Sequence, residues 1–158
     1  MVSDVLCVTV VQGQNGWGQW GVTYTSTHIC ALKGSTVDIH CTYKYPPRVN
    51  NVDTAVDETL WFTKGNNYAP VDLKTDSDYR GRVKYLFNKN VCTLRITDLR
   101  ERDSAEYKFM FTTNIPGGKY TGSPGVFLTV TGNILLKLSK ALVQAEHRAL
   151  PATWLPAD

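Results

Sequence analysis

Apolar and polar residues alternate with a period of two in several short runs. Val37-Asp38-Ile39-His40-Cys41-Thr42, Cys92-Thr93-Leu94-Arg95-Ile96-Thr97 and Tyr107-Lys108-Phe109-Met110-Phe111-Thr112 are the clearest. Such alternation predicts strands with one face in a core. Gly16–Tyr24, rich in glycine and aromatic residues, leads into an edge strand at Thr27–Leu32 that turns at Lys33-Gly34-Ser35. Pro46 and Pro47 end the next strand, Arg48–Glu58 reads as a polar loop, and Thr59–Lys64 resumes strand character. Short strands are predicted at Val71–Leu73 and Arg80–Leu86, a loop at Asn114–Gly118, and a closing strand at Gly125–Thr131. Roughly nine strands separated by frequent turns predict an all-β chain.

Between the second and third of the clearest runs stands Asp103-Ser104-Ala105-Glu106-Tyr107. It has the form of the corner where an immunoglobulin sandwich passes from one sheet to the other, the tyrosine hydroxyl bonding back to backbone upstream. Cys41, Trp61 and this corner occur in the order that such a fold requires, so the expected architecture is a variable-type sandwich of two antiparallel sheets over residues 20–132. The corner ordinarily continues Tyr-x-Cys, but Phe109 stands in that place and Cys92 lies on the preceding strand. Cys41 is therefore expected to bond to Cys92 within one sheet, where directly opposed residues sit about 4.5–5.5 Å apart. Closing that loop is worth roughly 4 kcal/mol on the chain-entropy model. Arg82 and Asp103 are placed to pair at the base of the domain.

The 158 residues hold one domain with a remainder. A net charge of +3 gives no reason to expect nucleic acid as a partner. The widely spaced Cys7, Cys30, Cys41 and Cys92 form no Cys-x-x-Cys pair, which favours an oxidising, extracellular destination. Three histidines, no base beside Ser104 and no glycine-rich phosphate loop argue against catalysis, and neither a metal nor a cofactor is expected. Residues 1–13 resemble the back half of a secretory signal, although Val8 and Val10 would also suit a first strand. Residues 133–158 read as a tail outside the fold, in which Asn133 could cap a helix with Leu135, Leu138, Leu142, Ala145 and Ala149 on one face, ending before Pro151. It is too short and too charged to span a membrane.

The displaced cysteine, the long loop before Trp61-Phe62, Cys92-Thr-Leu-Arg-Ile-Thr-Asp-Leu-Arg100 and Asp103-Ser-Ala-Glu-Tyr-Lys-Phe109 together resemble the N-terminal V-set domain of the sialic-acid-binding immunoglobulin-like lectins, the Siglecs. Within that family the likeness is to the sialoadhesin and B-cell co-receptor lectin types as found in bony fish. It implies a cell-surface receptor acting in adhesion or immune regulation, with a sialylated glycoprotein as partner. Cys30 is the candidate for the family's inter-domain cysteine. The family's sialate-binding arginine falls at Met110, which has neither charge nor donor to hold a carboxylate. Lys108 or Lys119 would then supply the charge, and Trp20, Tyr24 and Tyr120 the aromatic platform. Strand parity also turns Leu60, Phe62, Met110 and Phe127 outward on one sheet face. An exposed patch of that size would mark a protein interface, such as a homodimer through the outer sheet or a site for a cell-surface protein.

Overall fold

The computed structural model describes residues 20–132. The sequence expectations for the signal at 1–13 and the helix in 133–158 lie outside them. Eleven strands follow one another within this range: β1 (Gly21–Tyr24), β2 (His28–Leu32), β3 (Val37–Lys44), β4 (Arg48–Val49), β5 (Val52–Asp53), β6 (Val56–Phe62), β7 (Val83–Asn88), β8 (Val91–Ile96), β9 (Ala105–Thr113), β10 (Lys119–Thr121) and β11 (Val126–Thr131). One sheet has the order β1-β3-β8-β7. In the other, β9 is the central strand, with β6 on one side and the consecutive β10 and β11 on the other. The chain is an immunoglobulin-like β-sandwich, and among the described residues all strand pairings are antiparallel except that of β2 with β11. That exception arises because the first length of chain changes sheets: β1 pairs with β3, and after Thr25–Thr27 β2 crosses to lie beside β11.

The inward positions are those that the alternation marks. Ile39, Cys41, Trp61, Leu94, Ile96, Tyr107, Phe109 and Phe111 are buried in one continuous core. Cys41 and Cys92 are register partners across β3 and β8 and are disulfide-bonded, with Cα atoms 4.9 Å apart. Phe109 packs against Trp61, Tyr43 and Phe87 in the space between the sheets. The corner tyrosine behaves as its motif requires: the Tyr107 hydroxyl donates to the Asp103 carbonyl at 2.6 Å. The Tyr79 hydroxyl lies 2.9 Å from it, and burial holds both phenols above their ordinary pKa.

Two segments differ from expectation. The supposed loop before β6 contains the β4–β5 hairpin, because Asn50 and Asn51 both take positive φ (48° and 64°), the conformation that a tight two-residue hairpin needs and that asparagine tolerates. Val71–Leu73 is not a strand, although Val71 and Leu73 still donate to the carbonyls of Lys64 and Trp61. Strand β7 begins only at Val83, after a turn through Gly81 at φ 75°.

The base of the domain is closed by Arg82 and Asp103, 8% and 1% exposed, joined through two parallel hydrogen bonds of 2.7 and 2.8 Å. Arg82 also donates to the carbonyls of Asp78 and Asp98, and Asp103 accepts the Arg100 amide; of the two side chains only the Arg82 Nε is buried without a partner. Removing one member leaves the other buried and unpaired. Asp103→Ala is expected to lose about 3–5 kcal/mol in urea unfolding, several times the effect of Asp53→Ala, whose pair with Arg48 is exposed.

Candidate functional site

At the end of the sandwich where β9 turns into β10, aromatic rings gather round the buried Phe111. Trp20 stacks on it at 6.1 Å between centroids and 18° between planes, while Tyr43, Tyr45 and Tyr120 lie 5.1, 6.0 and 6.2 Å from it. Trp20, Tyr43, Tyr45 and Tyr120 all keep part of their surface in solvent. Their convergence follows from register. Tyr120 opposes Phe111 across β10 and β9, and Tyr43 and Tyr45 continue the inward parity of Ile39 and Cys41 past the end of the disulfide. The outer edge of the Trp20 ring passes so close to Gly118 that a Cβ there would stand 3.1 Å from it and 2.1 Å from the Thr113 hydroxyl.

The loops at this end are tied together. The Asn114 side chain accepts the Ala55 amide at 2.8 Å and donates to the Asp53 carbonyl at 3.0 Å, while its own amide donates to the Ala55 carbonyl at 3.1 Å. This fixes the β9–β10 loop against the segment between β5 and β6. Lys44 and Lys119 are exposed but take the opposite strand parity to the rings. The result is a ring-lined surface of a composition suited to stacking on a ligand's apolar or sugar faces.

The six residues expected to bind a ligand do not share one surface. Trp20 and Tyr120 belong to the aromatic end. Tyr24 is 8% exposed: its hydroxyl accepts the Phe109 amide at 2.9 Å and donates to the Gly122 carbonyl at 3.0 Å. Burial pushes its pKa far above the ordinary phenol range, so it works as a neutral bridge between sheets rather than as a sugar platform. Lys108, Met110 and Lys119 project from the opposite, outer side of the sheet, as their register against Phe62, Leu60 and Thr112 requires. Lys108 is partly buried, with its ammonium 3.5 Å from the Glu106 carboxylate and its stem beside Gly125. It is thus paired, whereas Lys119 is exposed.

The expected exposed patch is also corrected. Leu60, Phe62 and Met110 are 5%, 2% and 3% exposed and form a second apolar cluster, separate from the core; Phe127 alone of the four is open, at 41%, stacked on His28. Parity places these side chains outward correctly, but an outward side chain is exposed only if nothing lies on the sheet. Three consecutive residues of β6, Leu60, Trp61 and Phe62, are buried, so the strand is covered on both faces there. Among the described residues no group of three or more histidine, cysteine or acidic side chains could hold a metal ion.

Sequence reasoning missed Tyr43, Tyr45 and Phe111 as members of the aromatic end. The signal was present in Tyr43-Lys44-Tyr45, which prolongs the period-two pattern of β3 by one more aromatic step. Tyr24→Phe would leave the buried Phe109 amide and Gly122 carbonyl without their partner and is expected to cost about 1–3 kcal/mol. The same change at part-exposed Tyr120 should be nearly neutral in thermal unfolding.

No family model matches the chain. Among solved structures, a chimeric titin Z1Z2 carrying an exogenous decorin KLER peptide is similar at 22% identity and a TM-score of 0.49, over 70% of this chain and 93% of that one. The titin domains Z1Z2 crystallised with telethonin are similar at 20% identity and a TM-score of 0.49, over 73% of this chain. The likeness spans 50% of the second titin chain.

Proposed function

We propose that this chain is the non-catalytic recognition domain of a Siglec-like cell-surface receptor, acting outside the cell in adhesion or immune regulation, and that its ligand is a protein. The observation that carries the family assignment is the bond between Cys41 and Cys92 within one sheet, with Phe109 occupying the core position of the usual second cysteine. The choice of a protein ligand rests on the outer face. Met110, where the family's sialate arginine would stand, is buried, and Lys108 is held by Glu106, so neither offers a cation to a carboxylate. The part-exposed Trp20, Tyr43, Tyr45 and Tyr120 form the kind of aromatic surface on which protein interfaces concentrate their affinity.

A second reading has one observation in its favour: Lys119, on the outer side of β10, is an exposed cation that a sialylated glycan could meet. The two separate on cells. Binding of the full chain to untreated and sialidase-treated cells is expected to be equal, to survive Lys119→Ala, and to fall at least tenfold with Tyr45→Ala. Loss of binding on sialidase treatment and with Lys119→Ala would replace the protein ligand with a sialoglycan. Equal binding by Tyr45→Ala would remove the aromatic end from the site.

A further inference from the structure

The open edges of the two sheets are not protected alike. The β6 edge is covered: Val71 and Leu73 donate to the carbonyls of Lys64 and Trp61, and the Tyr85 hydroxyl reaches the Trp61 backbone. β1, β2 and β10 are strands of only four, five and three residues. β7 ends the first sheet with six residues, no proline and no bulge, and among the described residues its only strand partner is β8. The Arg82 carbonyl accepts the Thr97 amide, and Asn88 faces Val91 across the two-residue turn Lys89-Asn90. By the alternation of an antiparallel ladder, Lys84, Leu86 and Asn88 turn their main-chain groups toward β8, while Val83, Tyr85 and Phe87 turn theirs away from the sheet. The amides and carbonyls of Tyr85 and Phe87 are thus a template for another strand.

The side chains suit the same use. Leu86, Phe87 and Val91, 40%, 44% and 40% exposed, gather large apolar surface on this one hairpin. Lysine on an edge ordinarily discourages pairing, and Lys84 is exposed, so the partner must be one that does not set a cation against it. A second β7 meets that condition in one register. Set antiparallel about a twofold axis at Leu86, the two leucines form a non-hydrogen-bonded pair, Tyr85 exchanges hydrogen bonds with Phe87 of the second copy, and Lys84 faces Asn88. An axis at Tyr85 would set Lys84 against Leu86, and one at Phe87 would set Leu86 against Asn88. We propose that the chain forms a twofold dimer by antiparallel pairing of β7 with β7 of a second copy, centred on Leu86, which joins the two four-stranded sheets into one. Because the paired strands run in opposite directions, the two aromatic ends lie at opposite extremities of the dimer. The pairing does not depend on which ligand the aromatic end takes.

The test places single cysteines on β7 of the full chain carrying Cys7→Ser and Cys30→Ser. Leu86→Cys is expected to form an intermolecular disulfide under mild oxidation, since a pair on the axis brings the two sulfurs within bonding reach. Lys84→Cys and Asn88→Cys should each fail alone, their equivalent positions lying about 14 Å apart, and should cross-link when mixed. In the unaltered chain, the weight-average mass in sedimentation should rise with concentration toward that of two chains. Leu86→Lys sets two charges face to face and should weaken association about tenfold or more, whereas Phe127→Lys, on the other sheet, should leave it unchanged. Equal cross-linking at all three positions, a mass that stays at one chain at every concentration, or a dimer that survives Leu86→Lys would each overturn the proposal. The cysteine pattern reads the register at exposed positions, so a folding defect in Leu86→Lys cannot decide the matter.

Discussion

The cohesion of the two sheets is non-covalent among the described residues, and the arrangement of the domain follows from how that is achieved. With the disulfide spent inside one sheet, Phe109 takes the central space and packs on Trp61, Tyr43 and Phe87. Two hydroxyls reach from the first sheet to the backbone of the second: that of Tyr24 on β1 to the Phe109 amide and the Gly122 carbonyl, and that of Tyr85 on β7 to Trp61. The approach of Tyr24 is close enough that a Cβ at Gly122 would stand 2.4 Å from the hydroxyl oxygen, which explains the glycine between β10 and β11. The last strand is divided at this point, β10 pairing with the aromatic end of β9 and β11 with its base.

That division sets the two ends apart in character. Below the link, charge is buried and paired, as in the fork between Arg82 and Asp103. Above it, rings replace charge, and Phe111 carries Trp20, Tyr43, Tyr45 and Tyr120 to the surface. The polar ties of Asn114 hold the loops there in one arrangement, so the surface proposed as the site is ordered by folding itself.

Much of the fold was legible in the sequence because period-two alternation reports directly on which face of a strand is dry. Cys41, Cys92, Trp61, Phe109 and Tyr107 all sit where that pattern places them. The site was less legible, for two physical reasons. Residues adjacent in sequence, such as Lys119 and Tyr120, belong to opposite faces, so proximity along the chain separated what it seemed to join. Parity also says nothing about a further layer: it turned Leu60, Phe62 and Met110 outward without showing that they would be buried. Tyr24 was misassigned because a tyrosine on a first strand reads the same whether its hydroxyl meets water or two backbone groups. The Asn50-Asn51 turn carried its own signal, but in a polar stretch without flanking hydrophobic alternation it read as loop.

The placement of the disulfide also governs how the domain would respond to tension. Cys41 and Cys92 enclose a separation of 51 residues, including all of β6 and β7. If the chain is drawn out from its two ends, the bond withholds that length from extension, roughly 170 Å of contour at about 3.3–3.6 Å per residue. The sheets, lacking such a bond to each other, are free to separate. Under load the parallel pairing of β2 with β11 takes the tension in shear, while the loop between the cysteines limits how far the molecule can lengthen.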